Sequence, residues 1–195
     1  MLIVLTGIDG SGKTTAAQAL ARDRGALLLS NYAGRRRMSL LADRFGLGFP
    51  ARLADAVETT IRTFNVLVSH TRAQNHRGLV VMDRHLYCQL ALRHARGLPR
   101  GRLVPCLLRM LPKPDLVVHL VVDPEQALRR VVARGTDNES LEALSVLDVA
   151  YRSLPEYEDF FKIDASGTPD EVLAALSRLL QACAAGRHAL TASPR

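Results

Sequence analysis

The chain has 195 residues, 48% of them hydrophobic and 23% charged, which suits one compact α/β domain able to bury its own core. No apolar run reaches the about 20 residues a membrane-spanning helix needs, and the hydrophobic start at residues 1–5 lacks a basic leader, so it reads as a strand and not as a signal peptide. The net charge of +7, carried mostly by arginine, points to a polyanionic ligand, either a phosphorylated small molecule or nucleic acid.

Leu2 to Thr6 is a near-continuous apolar run, the pattern of a strand covered on both faces in a parallel sheet. It leads into Gly7-Ile8-Asp9-Gly10-Ser11-Gly12-Lys13-Thr14 and then Thr15, which is a P-loop pattern. Glycines there let successive backbone N–H groups point inward around phosphate oxygens, and the following helix adds the positive end of its dipole. Lys13 supplies a charge for the β- and γ-phosphates, and the Thr14 hydroxyl is a ligand for Mg²⁺. The spacing therefore assigns nucleotide binding to Asp9, Gly10, Ser11, Gly12, Lys13, Thr14 and Thr15, with ATP and Mg²⁺ as the cofactors.

The next helix spans residues 13–24, with Ala16, Ala17, Leu20 and Ala21 on one face and Gly25 as its stop. A second strand follows at 26–30. Residues 51–76 carry Ala54, Val57, Ile61, Phe64 and Val68 at helical spacing, as one long helix or two joined ones. A third strand at 79–82 ends on Asp83, Arg84 and His85. An acidic residue at a strand's C-terminal edge, beside a phosphate loop, can hold the magnesium shell or orient a nucleophile. Arg84 beside it can clamp the phosphate of an acceptor. The fourth strand, at 116–122, is followed by Asp123 as an N-cap with Pro124 at the first helical position. The fifth lies at 160–164, and Thr168-Pro169-Asp170-Glu171 opens the last helix with a capping-box pattern. After Cys183 the chain turns small and polar and reads as a flexible tail over 184–195. Strands alternating with helices over 1–183 give one doubly wound parallel α/β domain. Cys88, Cys106 and Cys183 are far apart and in no metal-ligand spacing, which fits inert thiols in the reducing cytoplasm.

These residues resemble the thymidylate kinase family of P-loop nucleoside monophosphate kinases. The resemblance lies in the P-loop with its acidic Asp9, in the Asp83-Arg84-His85 triplet, and in Pro114-Asp115-Leu116 leading to Asp123-Pro124-Glu125. It continues through Ala127-Leu128-Arg129-Arg130, Arg134-Gly135 and Ile163-Asp164-Ala165-Ser166-Gly167. It implies a three-layer α/β/α fold with a five-stranded parallel sheet in the order 2-3-1-4-5, an acceptor region at about 31–78 and a lid at about 130–142. It also implies transfer of a phosphoryl group from ATP to a nucleoside monophosphate, dTMP first among them, and a homodimer as the family often forms. Lys13, Asp9, Asp83, Arg84, Arg130 and Arg134 are then the catalytic residues, with Thr14 and Asp83 on the metal.

The lid reading has its own physical support. Arg130 and Arg134 are four apart on one helix face, ahead of a mobile stretch at 135–138, and the P-loop has no basic residue at its variable positions. A lid arginine closing on the transferring group would supply that charge and shut out water.

On the acceptor side the chain departs from the family. Asn31-Tyr32-Ala33-Gly34-Arg35-Arg36-Arg37 stands where the family has Arg-Glu-Pro-Gly. Phe64 is followed four residues on by Val68 where the family has Phe then Arg, the nearest arginines being Arg62 and Arg72. Cys88 and Leu92 replace the expected serine and aromatic. A kinase of the same fold acting on a nucleoside or another small metabolite is the alternative. A nucleotide-switched or nucleic-acid-binding protein is less favoured, because no guanine-specifying motif and no basic stripe interleaved with aromatics occurs.

Overall fold

A computed structural model of the chain describes residues 1–31, 51–135 and 139–191, with side chains described outside 51–55 and 186–191. Arg35, Arg36 and Arg37 lie outside the described residues, as do 136–138 of the expected lid and the last four residues of the expected tail.

Five parallel strands form one sheet: β1 (Leu2–Thr6), β2 (Leu27–Ser30), β3 (Val80–Asp83), β4 (Leu116–Val121) and β5 (Phe161–Asp164), in the order β2-β3-β1-β4-β5. The expected fold class and strand order are those observed. β1 lies between β3 and β4, with Ile3 level with Val81 on one side and Leu116 on the other. The period-two alternation of a strand then sends neighbouring side chains to opposite faces. Ile3, Leu5, Val118 and Leu120 pack with Ala16, Ala17 and Leu20 of α1 (Lys13–Arg24) and with Val172 and Leu176 of α7 (Pro169–Thr191). Val4 turns the other way and clusters with Leu29, Val80 and Met82.

The second layer of helices comprises α2 (Ala51–Gln74), α3 (Leu86–Ala95), α4 (Leu103–Met110), α5 (Pro124–Arg134) and α6 (Leu141–Arg152). Val66, Leu86, Leu90, Ala127, Leu144 and Tyr151 make its core. A 3₁₀ turn over Pro155–Asp159 leads into β5.

Caps set several of these boundaries. Asp123 Oδ1 accepts from the N–H of Glu125 at 2.9 Å and of Gln126 at 3.4 Å, with Pro124 at the first helical turn of α5. At α7 the capping box closes in both directions: Glu171 N donates to Thr168 Oγ1 at 3.3 Å, and Thr168 N donates to Glu171 Oε2 at 2.7 Å. This helix runs on to Thr191, past the position where the sequence reads as a tail. Its alanine-rich end, Ala182 to Ala185, is good helix-forming sequence, so small residues there extend the helix and do not end it.

The long helix α2 also differs from its sequence reading. It is one unbroken helix, but part of its apolar stripe faces outward: Phe64 is 66% exposed and Val68 41%, while Val57 and Ile61 are half-buried. The buried face is largely polar, carrying Glu58, Thr59, Arg62, Ser69 and His70 beside Val66.

Candidate active site

The loop of residues 7–12, which follows β1, and the end of β3 at Asp83 meet at the C-terminal edge of the sheet. The loop owes its shape to glycines with positive φ. Gly10, at φ 85°, lies so close to α5 that a Cβ there would sit 2.3 Å from the carbonyl oxygen of Ala127. Gly12, at φ 85°, turns the chain into the first turn of α1.

Lys13 is 4% exposed, and its ammonium donates to the carbonyl of Ile8 at 2.6 Å and to Ser11 Oγ at 3.4 Å, with Asp9 Oδ1 3.9 Å away. Burial lowers its pKa, and the neighbouring Arg84 charge acts in the same direction against Asp9 and Asp83. Thr14, on the first turn of α1, donates through Oγ1 to Asp83 Oδ2 at 2.7 Å. A hydroxyl and a carboxylate together are hard oxygen donors of the kind Mg²⁺ takes, so this pair fits that ion.

Arg84 follows Asp83 in a left-handed backbone conformation, φ 75°, the only such non-glycine position among the described residues. Three contacts hold it there. Its N–H donates to the carbonyl of Leu5 at 3.3 Å, its own carbonyl accepts from Asn31 Nδ2 at 2.8 Å, and its guanidinium Nη2 donates to Asp9 Oδ1 in a close ion pair. Burial is the largest single influence and works against the Arg84 charge, but Asp9 and, in the same direction, Cys88, Tyr151 and Asp83 together outweigh it, so the guanidinium pKa lies above its ordinary value. The strained turn thus aims a fixed cation across the phosphate loop.

On the other side of the loop, Ser11, Gly12, Thr15, Ala16, Arg130 and Gly167 line much of a cavity of about 140 Å³. Arg130 reaches it from α5, and its donors are engaged by the carbonyls of Ala165 at 2.8 Å and of Ser166 and Gly167 at 3.0 Å each. Arg134, one turn further along α5, is exposed. Asp9, Lys13, Thr14, Asp83 and Arg84 therefore come together, while Arg130 borders the same loop from the β5 side and Arg134 lies in the last turn of α5.

A buried polar network, in which Glu58, Thr59, Ser69, His70 and Gln89 carried no role in the sequence reading, joins α2 to α3 and to the end of β3. Ser69 donates to Asn31 Oδ1 at 2.7 Å, His70 Nε2 lies 3.0 Å from His85 Nε2, and Gln89 donates to Thr59 Oγ1 at 2.8 Å. Glu58 accepts from Arg62 at 3.1 Å and from Arg96 at 2.7 Å. Burial, together with the His70 ring, pushes His85 down to about 3, so both imidazoles are neutral at pH 7. The available signal was the polar stripe at 58, 59, 62, 69 and 70, which repeats at helical spacing as surely as the apolar one. Cys88 is buried on α3 beside this network and Leu92 is half-buried.

A protein-family model described as thymidylate kinase matches residues 61–176, from the middle of α2 into α7. A probable thymidylate kinase of Pyrococcus horikoshii is 32% identical over 148 residues, covering 69% of this chain and 71% of that protein. One of Methanocaldococcus jannaschii is 30% identical over 174 residues, covering 85% of this chain and 87% of that protein. Among solved structures, the thymidylate kinase of Candida albicans superposes with a TM-score of 0.69 at 21% identity, covering 93% of this chain and 91% of that one. A deoxyadenosine kinase of M. mycoides gives 0.70 at 16% identity, covering 93% and 100%. At these identities the structural likeness is one of fold.

Proposed function

We propose that this chain, which belongs to the thymidylate kinase family, moves the terminal phosphoryl group of ATP onto a nucleoside monophosphate, with dTMP the favoured acceptor. The observation that carries the reading is the junction of P-loop and β3: Thr14 bonded to Asp83, and Arg84 bonded back to Asp9, around the buried Lys13.

The division of labour follows from these contacts. The backbone of residues 9–15 wraps the ATP phosphates, and Lys13 turns its ammonium from the Ile8 carbonyl to the β- and γ-oxygens. Thr14 and Asp83 hold Mg²⁺, which when bound supplies positive charge against the phosphate oxygens. Arg84, kept in place by Asp9, grips the acceptor's phosphate, so that an acceptor oxygen faces the γ-phosphorus; the P–O bond to ADP breaks as the new one forms. Arg130 covers the ATP side from α5. In the closed state Arg130, Arg134 or both add charge to the transferring group.

The polar wall of α2 favours one further reading. An acceptor side built from Glu58, Thr59, Arg62 and Gln89 suits an acceptor rich in hydrogen-bonding groups, so another small metabolite is the alternative substrate. A coupled assay of ADP formation across nucleosides and nucleoside monophosphates tests both readings.

The outward apolar stripe of α2, with Phe64, Leu67 and Val68, supports a homodimer. Phe64→Glu then yields a monomer in light scattering. A cytoplasmic setting goes with the three free cysteines, and among the described residues no helix is long and apolar enough to cross a membrane.

A further inference from the structure

A second cavity, of about 610 Å³, runs from the start of α3 to the start of β4, with α4 and the 3₁₀ turn over Pro155–Asp159 as its sides. It shares no lining residue with the cavity beside the P-loop. A hollow of this size, largely apolar with a few convergent polar groups, is the form small-molecule sites take.

Two residues on its lining carry buried polar atoms that have no hydrogen-bond partner among the described residues. His85 is 1% exposed; its Nε2 lies 3.0 Å from His70 Nε2, and its Nδ1 is left over. Glu156 gives Oε1 to Arg100 in a close ion pair and leaves Oε2 unmet. Such atoms are costly unless a ligand meets them. Tyr87 links His85 to Phe160, with ring centroids 5.0 Å apart on each side, so the cavity has a row of flat apolar surfaces. Arg109, in the last turn of α4, and Lys113 beyond it add two exposed cations. Asp115, also on the lining, accepts from the Leu2 N–H at 2.6 Å, and Asp159 is exposed. With acids of this kind close by, the lining suits one phosphate better than a chain of them.

We propose that this cavity is a second site for a nucleoside monophosphate, separate from the phosphotransfer site and coupled to it through His85. The base lies along Tyr87 and Phe160 and donates a ring N–H to Glu156 Oε2, while the phosphate meets Arg109 and Lys113. His85 directly follows Arg84, whose backbone stands at φ 75°. An occupant that bonds to His85 Nδ1 selects one tautomer, fixes the bond to His70 and so holds the turn that aims Arg84. A filled cavity therefore favours acceptor binding, and a bound acceptor favours the occupant by the same factor. The coupling rests on the phosphotransfer reading above; the site itself does not.

The test titrates dTMP calorimetrically into protein saturated with a bisubstrate analogue, adenosine and thymidine joined through five phosphates, which fills both substrate sites. The wild type takes up one further dTMP per chain. Arg109→Ala/Lys113→Ala, altered only at exposed positions outside the phosphotransfer site, binds it at least about tenfold more weakly, as do thymidine and deoxyribose 5-phosphate to the wild type, each lacking half of what the cavity reads. In turnover at saturating ATP, the wild-type rate rises sigmoidally with dTMP, whereas the double variant gives a hyperbola with the same kcat. No further dTMP bound, undiminished binding by the variant, or equal binding of deoxyribose 5-phosphate overturns the site. A hyperbolic wild-type curve overturns the coupling. If the analogue does not bind and no monophosphate turns over, the phosphotransfer reading fails, and dTMP titrated alone into wild type and double variant still decides the cavity.

Discussion

Thr14 Oγ1 and Asp83 Oδ2 are 2.7 Å apart, joining the first turn of α1 to the end of β3 across 69 positions of sequence. One hydrogen bond thus brings the hydroxyl of the phosphate loop and the carboxylate of the neighbouring strand to the same point. Asp83→Asn keeps the shape and removes the charge. It is expected to lower Mg²⁺-dependent turnover by about a hundredfold while ATP still binds, measured by steady-state kinetics beside equilibrium titration of ATP. Unchanged turnover would mean that the metal is held elsewhere.

Lys13 is buried and bonded to the Ile8 carbonyl, so its charge already stands at the loop before a nucleotide arrives. Lys13→Ala is expected to cost at least ~3 kcal/mol of barrier, about a hundredfold or more in rate, with the circular dichroism spectrum retained. Near-normal turnover by a folded variant would contradict the kinase reading.

Arg84 carries two separable roles, a side chain and a strained turn. Arg84→Ala is expected to raise the KM of the acceptor far more than that of ATP. Because φ is 75° here, Arg84→Gly should be more stable than Arg84→Ala by about 1 kcal/mol, read from denaturant midpoints, while sharing the same KM defect. If the glycine variant were the less stable, the turn would not be under strain.

The sheet was legible in the sequence because parallel strands covered on both faces become continuous apolar runs, as in residues 2–6 and 116–121. The P-loop, the acidic end of β3 and the caps at Asp123 and Thr168 carry their own residue chemistry. The orientation of α2 was hidden. Of the residues that mark its apolar stripe in the sequence, Phe64 and Val68 are exposed and Val57 and Ile61 half-buried; burying such a stripe is the default expectation for a helix, yet here the buried face is largely polar. Helices α3, α4 and α6 carry weaker marks: α3 opens at His85 with no side-chain cap, and α4 is short with Pro105 in its first turn. Ser140 does cap α6, accepting from Ala143 N at 3.1 Å, but the polar sequence before it reads as part of a lid.

Acidification should destabilise the fold through its buried histidines. His85 is held at about 3 and His119 at about 4, in both cases first by burial, against 6.5 for an ordinary histidine. Above 6.5 both are neutral in the folded and unfolded states. As pH falls below 6.5 the unfolded chain takes up protons that the folded one refuses, so stability drops until the folded values near 4 and 3 are reached. Each group contributes up to about 1.4 kcal/mol per pH unit in that window. Urea unfolding at pH 7.5, 6.0 and 5.0 reads this slope, and a midpoint that stayed level across the series would count against it.

The most direct measurement is ADP formation from ATP and Mg²⁺ with dTMP, dUMP, dCMP and dGMP, and with the corresponding nucleosides. The account predicts turnover of the monophosphates, dTMP among the best, with preferences well short of a thousandfold, about 4 kcal/mol, because Arg84 grips the phosphate that all four share. A protein that binds ATP and phosphorylates none of them would contradict the account at its centre.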